Sequence, residues 1–263
     1  MLKSAIIKIA IVLCVFIFVT ACQQQKDSKT IYIGVSGEMP PYSYYDPDSN
    51  ELVGFDVELA RELAKVMNKK LNLETYSFNR LIAAVSGNQI DVGMGSMNIV
   101  PARQEVVNFS IPYNYSRGQF VVQASNKDVN SIDDIREKKI MVGIRNGTVY
   151  PGILINELGF STDQLKKFPT QRDLRIALQL GMVGSAVSDY AAMYHLKNNE
   201  GFKIKFVGTP VNETPCGLTV NKKNKELLEQ INLALQELID NGIYDRVSRK
   251  WFGLNPLIEK PSF

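Results

Sequence analysis

The sequence predicts an α/β protein, because short apolar runs that suit buried strands alternate with segments whose apolar residues recur at helical spacing. Residues 31–35 and 140–144 are apolar runs of the first kind, and residues 71–76 are also predicted to form a strand. Residues 225–240 are of the second kind, and an Asn-Gly pair that typically ends a helix follows them. A chain of 263 residues is long enough to bury a sizeable core, as one large domain or as two lobes.

Residues 1–21 have the pattern of a secretory signal peptide, with two lysines, an apolar core and small residues before Cys22. The apolar run is too short to cross a bilayer comfortably. The cysteine resembles that of a bacterial lipobox, where lipid is attached to the sulfur after cleavage; the alternative is an ordinary secretory peptide with an incidental cysteine. We expect an exported lipoprotein, anchored to the membrane through Cys22 and the polar tether of residues 22–30, and facing the periplasm or the cell exterior.

Charge and composition exclude several other classes of function. The chain has 30 Lys and Arg against 27 Asp and Glu, and the leader removes two lysines and no acid, so nothing indicates nucleic-acid binding. The one histidine, His195, cannot form a histidine cluster for a metal, and we expect neither a metal nor a cofactor. Cys216 has no partner left for an intramolecular disulfide, and we expect it to be a small buried side chain.

Residues 91–113 contain the strongest binding signal in the chain. A strand ends at a glycine, the small polar residues Ser96 and Asn98 follow, and Pro101 suits the first turn of a short helix. Arg103 lies in that turn, near backbone N–H groups that favour an anion. Carbonyl groups for a cation and a guanidinium for a carboxylate would suit the two charged ends of a free amino acid. The alternative is a strand-to-helix connection with a surface arginine.

Three other segments are candidates for the walls of a binding site. After the strand at residues 140–144, a glycine turn places the backbone N–H groups of Thr148 and Val149 at a helix start, where an anion binds well. Asp189 follows a short strand and, taken alone, is most simply a helix N-cap. Residues 36–45 combine prolines and aromatic rings in a stiff loop that suits the wall of a pocket.

These motifs resemble, in the same order, those of the bacterial extracellular solute-binding proteins of family 3, the polar amino-acid branch of the ABC-importer binding proteins. The resemblance covers about residues 31–253 and is carried by residues 54–59, 96–103, 107–113, 147–149, 189 and 242–253. Within residues 96–103, two positions depart from the family pattern. Asn98 stands where a Thr or Ser usually meets the ligand's ammonium, and Val100 stands where a Thr usually caps the short helix, a role that valine cannot take.

The resemblance implies the two-lobed type II fold of periplasmic binding proteins, in which each lobe is a mixed sheet flanked by helices. Lobe 1 would comprise residues 31–116 and 209–263, and lobe 2 residues 117–208. The two crossover segments would lie near residues 115–119 and 207–212.

The resemblance also implies how the site would bind an amino acid. The carboxylate would meet Arg103 and the backbone N–H groups of Thr148 and Val149. The ammonium would meet Asp189, Asn98 and the Ser96 carbonyl. The residues expected to meet the ligand side chain are Ser36, Glu38, Met39, Tyr42 and Phe78. An acid at Glu38 would suit a basic ligand.

The function that the resemblance implies is the substrate-binding component of an ABC importer. It would be a monomer that binds a free, polar amino acid and delivers it to a membrane permease and its ATPase, with no catalytic residues. Two alternatives stay open at this stage: a ligand sensor for a membrane receptor, and an enzyme similar to the cyclohexadienyl or arogenate dehydratases. An enzyme would need a carboxylic acid in the cleft, for which Glu38 and Glu213 are the candidates.

Overall fold

The computed structural model describes residues 27–261, so the predicted signal peptide and Cys22 lie outside the described residues. Residues 27–30 form a turn in which the Thr30 N–H donates to the Asp27 carbonyl. The rest of the described chain belongs to one compact unit, residues 31–263. Within residues 27–261, no helix is long and apolar enough to cross a membrane.

The strands are short, and most of them are buried. In chain order they are β1 (Thr30–Val35), β2 (Glu38–Met39), β3 (Ser43–Tyr45), β4 (Leu52–Val53), β5 (Lys70–Thr75), β6 (Val92–Gly93), β7 (Val107–Phe109), β8 (Asn114–Ser116), β9 (Gly118–Gln123), β10 (Val142–Arg145), β11 (Leu165–Phe168), β12 (Ser185–Asp189), β13 (Ile204–Val207), β14 (Thr214–Cys216) and β15 (Thr219–Asn221).

The helices cover the sheets and begin at recognisable signals. They are α1 (Phe55–Val66), α2 (Leu81–Ser86), α3 (Pro101–Gln104), α4 (Ile132–Glu137), α5 (Tyr150–Asn156), α6 (Gln171–Gln179), α7 (Tyr190–Asn199), α8 (Lys225–Asp240) and α9 (Ile243–Phe252), with short 3₁₀ turns at Phe78–Arg80 and Thr162–Gln164. Ser131 and Asp134 form a capping box at the start of α4. Val100 precedes α3 without a side-chain cap, as its missing hydroxyl predicts.

Two five-stranded sheets form the two lobes. The first has the order β5-β1-β6-β15-β7, and the second the order β11-β10-β12-β9-β13. Each sheet is mixed: β1 pairs parallel to β6 while β15 pairs antiparallel to it, and β10 pairs parallel to β12 while β9 pairs antiparallel to β12. Helices pack against both sheets, so the predicted two-lobed α/β fold is confirmed.

A two-stranded connection links the two sheets. Strands β8 and β14 pair antiparallel, with Tyr115 opposite Pro215. The second crossover was expected at residues 207–212. Strand β13 ends at Val207 and β14 begins at Thr214, so the expected segment covers most of the connection between them, and its role as a crossover stays a prediction. The expected lobe limits at residues 116/117 and 208/209 stay a prediction.

A buried hydrogen-bond chain fixes the backbone at the end of β6. The Tyr113 hydroxyl donates to Asp56 Oδ1 at 3.0 Å and accepts the Ser96 N–H at 2.8 Å. Ser96 has a positive φ of 52°, which costs energy for a residue with a side chain, so the bond helps to hold this conformation. Burial raises the pKa of Asp56 to about 7, and the hydrogen bond from Tyr113 opposes the rise.

We predict that Asp56→Asn changes the pH dependence of stability. Between the ordinary value of 3.8 and about 7, the folded state binds more proton at Asp56 than the unfolded chain does, so the parent's free energy of unfolding falls as pH rises through this window. The variant lacks this titration. Urea unfolding at several pH values should show its free energy of unfolding rising relative to the parent, by up to about 1.4 kcal/mol for each pKa unit of difference.

The exposed Asp133→Asn is the matched control, because Asp133 carries the same charge at the surface of α4. Its stability should follow the parent curve. Parallel curves for Asp56→Asn and the parent would contradict the buried titration.

Candidate functional site

A small cavity lies between the two lobes. Its volume is about 20 Å³, which is close to the space of one water molecule. The residues that line it come from both lobes and from the connection between them: Met39, Phe78, Ser96, Asn98, Ser116, Arg145, Thr148, Tyr150, Gln171, Val187, Ser188 and Asp189. Six of the predicted ligand-binding residues are therefore brought together here: Met39, Phe78, Ser96, Asn98, Thr148 and Asp189.

Asp189 is a buried carboxylate that receives donors from several parts of the chain. As the N-cap of α7 its Oδ1 accepts the backbone N–H of Ala191 at 3.1 Å, and its Oδ2 accepts that of Arg117 at 3.3 Å. The Tyr42 hydroxyl of the first lobe donates to Oδ1 at 2.9 Å. Burial raises the pKa of Asp189, and hydrogen bonds from Tyr42 and Ser116 oppose this rise. The carboxylate thus joins both lobes and would attract a cation in the cleft.

A larger groove of about 580 Å³ also borders Asp189 and Tyr42, between α7 and the C-terminal helix α9. It contains none of the predicted ligand-binding residues other than these two. The cluster of predicted residues around the small cavity marks that cavity, and not the larger groove, as the candidate site.

Ser96, Asn98 and Cys216 form a polar cluster on the first-lobe side. Ser96 Oγ donates to the Cys216 sulfur at 3.4 Å, and Asn98 Nδ2 donates to it at 3.6 Å. Asn114 Nδ2 in turn donates to Ser96 Oγ at 2.9 Å. Cys216 is fully buried as expected, and burial raises the pKa of its thiol to about 12, so the sulfur is uncharged and acts here as an acceptor.

Arg103 reaches across the cleft. Its Nη1 donates to the Asn98 carbonyl at 3.0 Å, and its Nη2 donates to the Gly147 carbonyl of the second lobe at 2.7 Å. Gly147 directly precedes Thr148, so the guanidinium lies against the turn that was expected to bind the ligand carboxylate. Partial burial lowers the pKa of Arg103, and Arg145 adds to this effect. The Thr148 hydroxyl donates to the Arg145 carbonyl at 2.8 Å, which holds the turn in place.

Arg145 is the main feature of the site that the sequence did not reveal. It ends β10, and its guanidinium packs on the Phe78 ring at 4.0 Å from the centroid. Its Nη1 lies 3.7 Å from Glu38 Oε1. Burial raises the pKa of Glu38 and Arg145 opposes that rise. Because Arg145 offsets the charge of Glu38, Glu38 by itself is a weak argument for a basic ligand.

Five predicted residues lie outside the cavity lining, and Arg103, described above, is one of them. Ser36 Oγ is 3.2 Å from Ser43 Oγ, within its own lobe. Val149 packs on the apolar core of the second lobe. Tyr42 does not line the cavity but contacts the lining residue Asp189. Glu38 likewise lies next to the lining residue Arg145.

The lining residues that the sequence analysis missed are Ser116, Arg145, Tyr150, Gln171, Val187 and Ser188. Arg145 carried a usable signal, since it stands between a buried strand and the Gly147-Thr148 turn. Gln171 starts α6 after the N-cap Thr170, and its Nε2 donates to Ser188 Oγ at 2.9 Å. Nothing in the sequence around Gln171 indicates that this helix start faces the other lobe.

Metal-binding chemistry has no support in the part of the chain that the structure describes. Residues 27–261 contain no group of three His, Cys, Asp or Glu side chains that could hold a metal ion.

Comparison with known proteins places the chain among bacterial transport proteins. A sequence model of the bacterial extracellular solute-binding proteins, family 3, matches residues 31–254. The L-cystine-binding protein TcyJ of Escherichia coli K12 is 29% identical over 231 residues, which cover 87% of this chain and 84% of TcyJ. The arginine-binding extracellular protein ArtP of Bacillus subtilis is 28% identical over 91% of this chain and 94% of ArtP.

A solved structure is similar over almost the same range. It is an ancestral arginine-binding protein bound to glutamine, which matches with a TM-score of 0.78 at 32% identity, over 87% of this chain and 100% of that protein. The similarity therefore covers both lobes.

Proposed function

Because the chain belongs to the bacterial extracellular solute-binding proteins of family 3, we propose that it binds a free, polar amino acid between its lobes and delivers it to the permease and ATPase of an ABC importer. The relatives named above bind cystine or arginine by name, and both are polar amino acids. The proposal places the ligand's ammonium at Asp189 and its carboxylate at Arg103.

The observation that carries this proposal is the buried Asp189 carboxylate, which faces the same cleft as the cationic Arg103. A free α-amino acid presents one cation and one anion, and a charged group in a buried site needs a partner of opposite charge. Ser96 and Asn98 supply further oxygen acceptors for the ammonium. The N–H groups of the turn at Thr148 and Val149 supply further donors for the carboxylate.

Ligand binding would be coupled to the separation and closure of the lobes. The cavity is far smaller than an amino acid, so the ligand enters only when Tyr42–Asp189 and Arg103–Gly147 contacts exchange or the lobes move apart. A ligand that bonds to both lobes binds the closed arrangement better than the open one. This difference in affinity is what shifts the population toward the closed form, whose shape the permease would recognise.

Export to the cell exterior agrees with the family, and we further propose that Cys22 carries a lipid anchor. The support is the small-residue sequence before Cys22 and the polar segment after it. A tether of this kind would keep the protein near the permease while leaving the lobes free to move.

The two acids considered for an enzyme differ in their surroundings. Glu213 pairs with Arg117 and Lys260, each at 3.1 Å. Burial alone would raise the pKa of Glu213, but these two cations lower it below its ordinary value. A carboxyl group with a lowered pKa is a poor proton donor. Glu38 has a raised pKa, yet Arg145 stands beside it and favours its charged form. We therefore favour binding over catalysis.

A thermal-shift screen of residues 23–263 against the free amino acids tests the proposed function. A ligand that binds only the folded state raises the melting temperature by mass action. Asp189→Asn should weaken the binding of any amino acid that shifts the parent, by about ten- to a hundredfold in Kd, since one charge-assisted hydrogen bond contributes about 1.5–3 kcal/mol. The fold should survive, because Asn caps a helix nearly as well as Asp.

Asp133→Asn, which removes an exposed acid far from the cleft, should bind like the parent. If no amino acid shifts the parent's melting temperature, the proposed function is wrong. If Asp189→Asn binds with an unchanged calorimetric Kd, Asp189 is only a helix cap.

We predict that Arg103→Lys weakens amino-acid binding by about ten- to a hundredfold in Kd. A guanidinium makes two parallel N–H···O bonds to a carboxylate, and an ammonium does not reproduce this geometry. Calorimetric titration of the variant measures the loss, and Arg103→Ala should lose more. The exposed Arg80→Lys is the control. Binding by Arg103→Lys at parental affinity would show that this arginine does not hold the carboxylate.

We predict that Cys22→Ala releases the full-length protein from membranes and leaves its affinity for an amino acid unchanged. The reason is that a lipid chain on this sulfur would be the anchor, while the cleft residues begin after residue 35. Fractionation of cells followed by immunoblotting measures the distribution. Continued membrane association of the variant would show that Cys22 is not the lipidation site.

A further inference from the structure

Arg145 and Glu38 stand on opposite lobes, and both have side-chain atoms without a hydrogen-bond partner within residues 27–261. Arg145 is only 6% exposed, and its Nε and Nη1 are unpartnered. Glu38 Oε1 is buried and unpartnered as well. Nη1 and Oε1 lie 3.7 Å apart, which is too long for a hydrogen bond between them. The cleft therefore holds free donors and a free acceptor side by side.

Contacts with neighbouring residues hold the Arg145 and Glu38 side chains next to the cavity. Arg145 lines the cavity, and the Phe78 ring packs on its guanidinium. Glu38 accepts a hydrogen bond from the backbone N–H of Gln171, and Gln171 and Met39 both line the cavity. In this arrangement of the lobes the donors and the acceptor thus lie side by side at the cavity.

Buried polar atoms in proteins are nearly always paired, because a buried donor or acceptor without a partner costs free energy. A ligand group that supplies both an acceptor and a donor would satisfy Arg145 and Glu38 together. A purely cationic group would be repelled by Arg145, and a purely anionic group by Glu38. An apolar group would leave both unpaired.

The surrounding charges do not change this balance. Asp173 lies near Glu38 and Asp189 near Arg145, so both add negative potential. Arg103 lies near Arg145 and adds positive potential. Both negative and positive charges therefore surround the pair, so the site favours neither a purely cationic nor a purely anionic ligand end.

We propose that Arg145 and Glu38 determine the specificity of the site, and that they select a ligand whose far end presents a hydrogen-bond acceptor and a donor side by side. This inference rests on the proposed function, since it assigns the end of the amino acid that Asp189 and Arg103 do not hold. Two kinds of amino acid have this chemistry. One ends in a carboxamide, as in glutamine and asparagine, and the other in a second ammonium and carboxylate, as in cystine.

Both kinds of far end would make the same two hydrogen bonds, one with Arg145 and one with Glu38. The carboxamide oxygen would accept from Arg145, and the carboxamide nitrogen would donate to Glu38. In cystine, the second carboxylate would accept from Arg145 and the second ammonium would donate to Glu38. A separation of 3.7 Å between Nη1 and Oε1 allows one such group to reach both atoms.

Calorimetric titration of parental residues 23–263 with glutamine, asparagine, cystine, arginine, glutamate and leucine tests the proposal without any variant. At least one of the first three should bind about tenfold or more tightly than each of the last three, because the latter leave a buried group unpaired or repelled. Preference for glutamine or asparagine identifies the carboxamide source, and preference for cystine identifies the second amino-acid end. Arginine, glutamate or leucine binding as tightly as these would overturn the proposal.

Two charge-removing variants provide an independent readout. Arg145→Gln should improve the affinity for arginine relative to that for the preferred ligand, because Glu38 is then unopposed. Glu38→Gln should improve the relative affinity for glutamate, because Arg145 is then unopposed. We expect each of these two ratios to rise by about tenfold or more. Unchanged ratios in both variants would assign the pair a purely structural role and would contradict the proposal.

The chain offers a matched control pair on its surface. Arg136 Nη2 and Glu137 Oε1 are also 3.7 Å apart, on α4 and away from the cleft. Arg136→Gln and Glu137→Gln should leave all affinity ratios at parental values. If a cleft variant fails to fold, the panel on the parent still decides. If no amino acid binds the parent at all, the proposed function fails, and this result differs from amino-acid binding with the wrong selectivity.

Discussion

One buried carboxylate, that of Asp189, constrains how the two lobes can meet. A buried charge is costly unless donors surround it, and Asp189 obtains its donors from four places: the start of α7, the backbone at Arg117, the Ser116 side chain and the Tyr42 hydroxyl. Only a closed arrangement brings the last of these to the carboxylate. The same group that caps a helix in one lobe therefore stabilises contact with the other. A ligand ammonium could replace the Tyr42 hydroxyl at little cost, because both donate a hydrogen bond to the same oxygen.

The opposite wall of the cleft depends on a second buried network. Asp56 accepts from Tyr113, and Tyr113 accepts the Ser96 N–H, so the first-lobe core determines the direction in which the chain leaves β6. Ser96 then faces Cys216 and Asn114, both of which lie in the paired strands β8 and β14. The connection between the lobes and the wall of the cleft therefore share their hydrogen bonds. A movement of the connection would be expected to disturb the groups assigned to the ammonium.

The sequence predicted the fold and about half of the residues that line the cavity, because short sequence patterns indicate them. Apolar runs, glycine turns and helix caps depend on neighbours in sequence, and they located most strands and helices as well as Asp189, Ser96, Asn98 and Thr148. The sequence did not predict the residues that reach the cavity only because of how one lobe faces the other. Gln171 and Arg145 enter the cavity only because α6 and β10 face the first lobe, and Val149 turns into its own core.

This division between local and distant contacts has a consequence for specificity. Groups for the α-ammonium and the α-carboxylate can stay the same for every amino acid, so motifs that occur in sequence order can encode them. The far end of the ligand differs from one amino acid to the next, and the groups proposed to bind it, Glu38 and Arg145, come from strands 107 positions apart in different lobes. Their meaning emerges only from the pair, because Glu38 read alone favours a basic ligand and Arg145 read alone favours an acidic one. When the two lie side by side, their opposite charges offset each other. What remains for recognising the ligand is a hydrogen-bond donor on Arg145 next to a hydrogen-bond acceptor on Glu38.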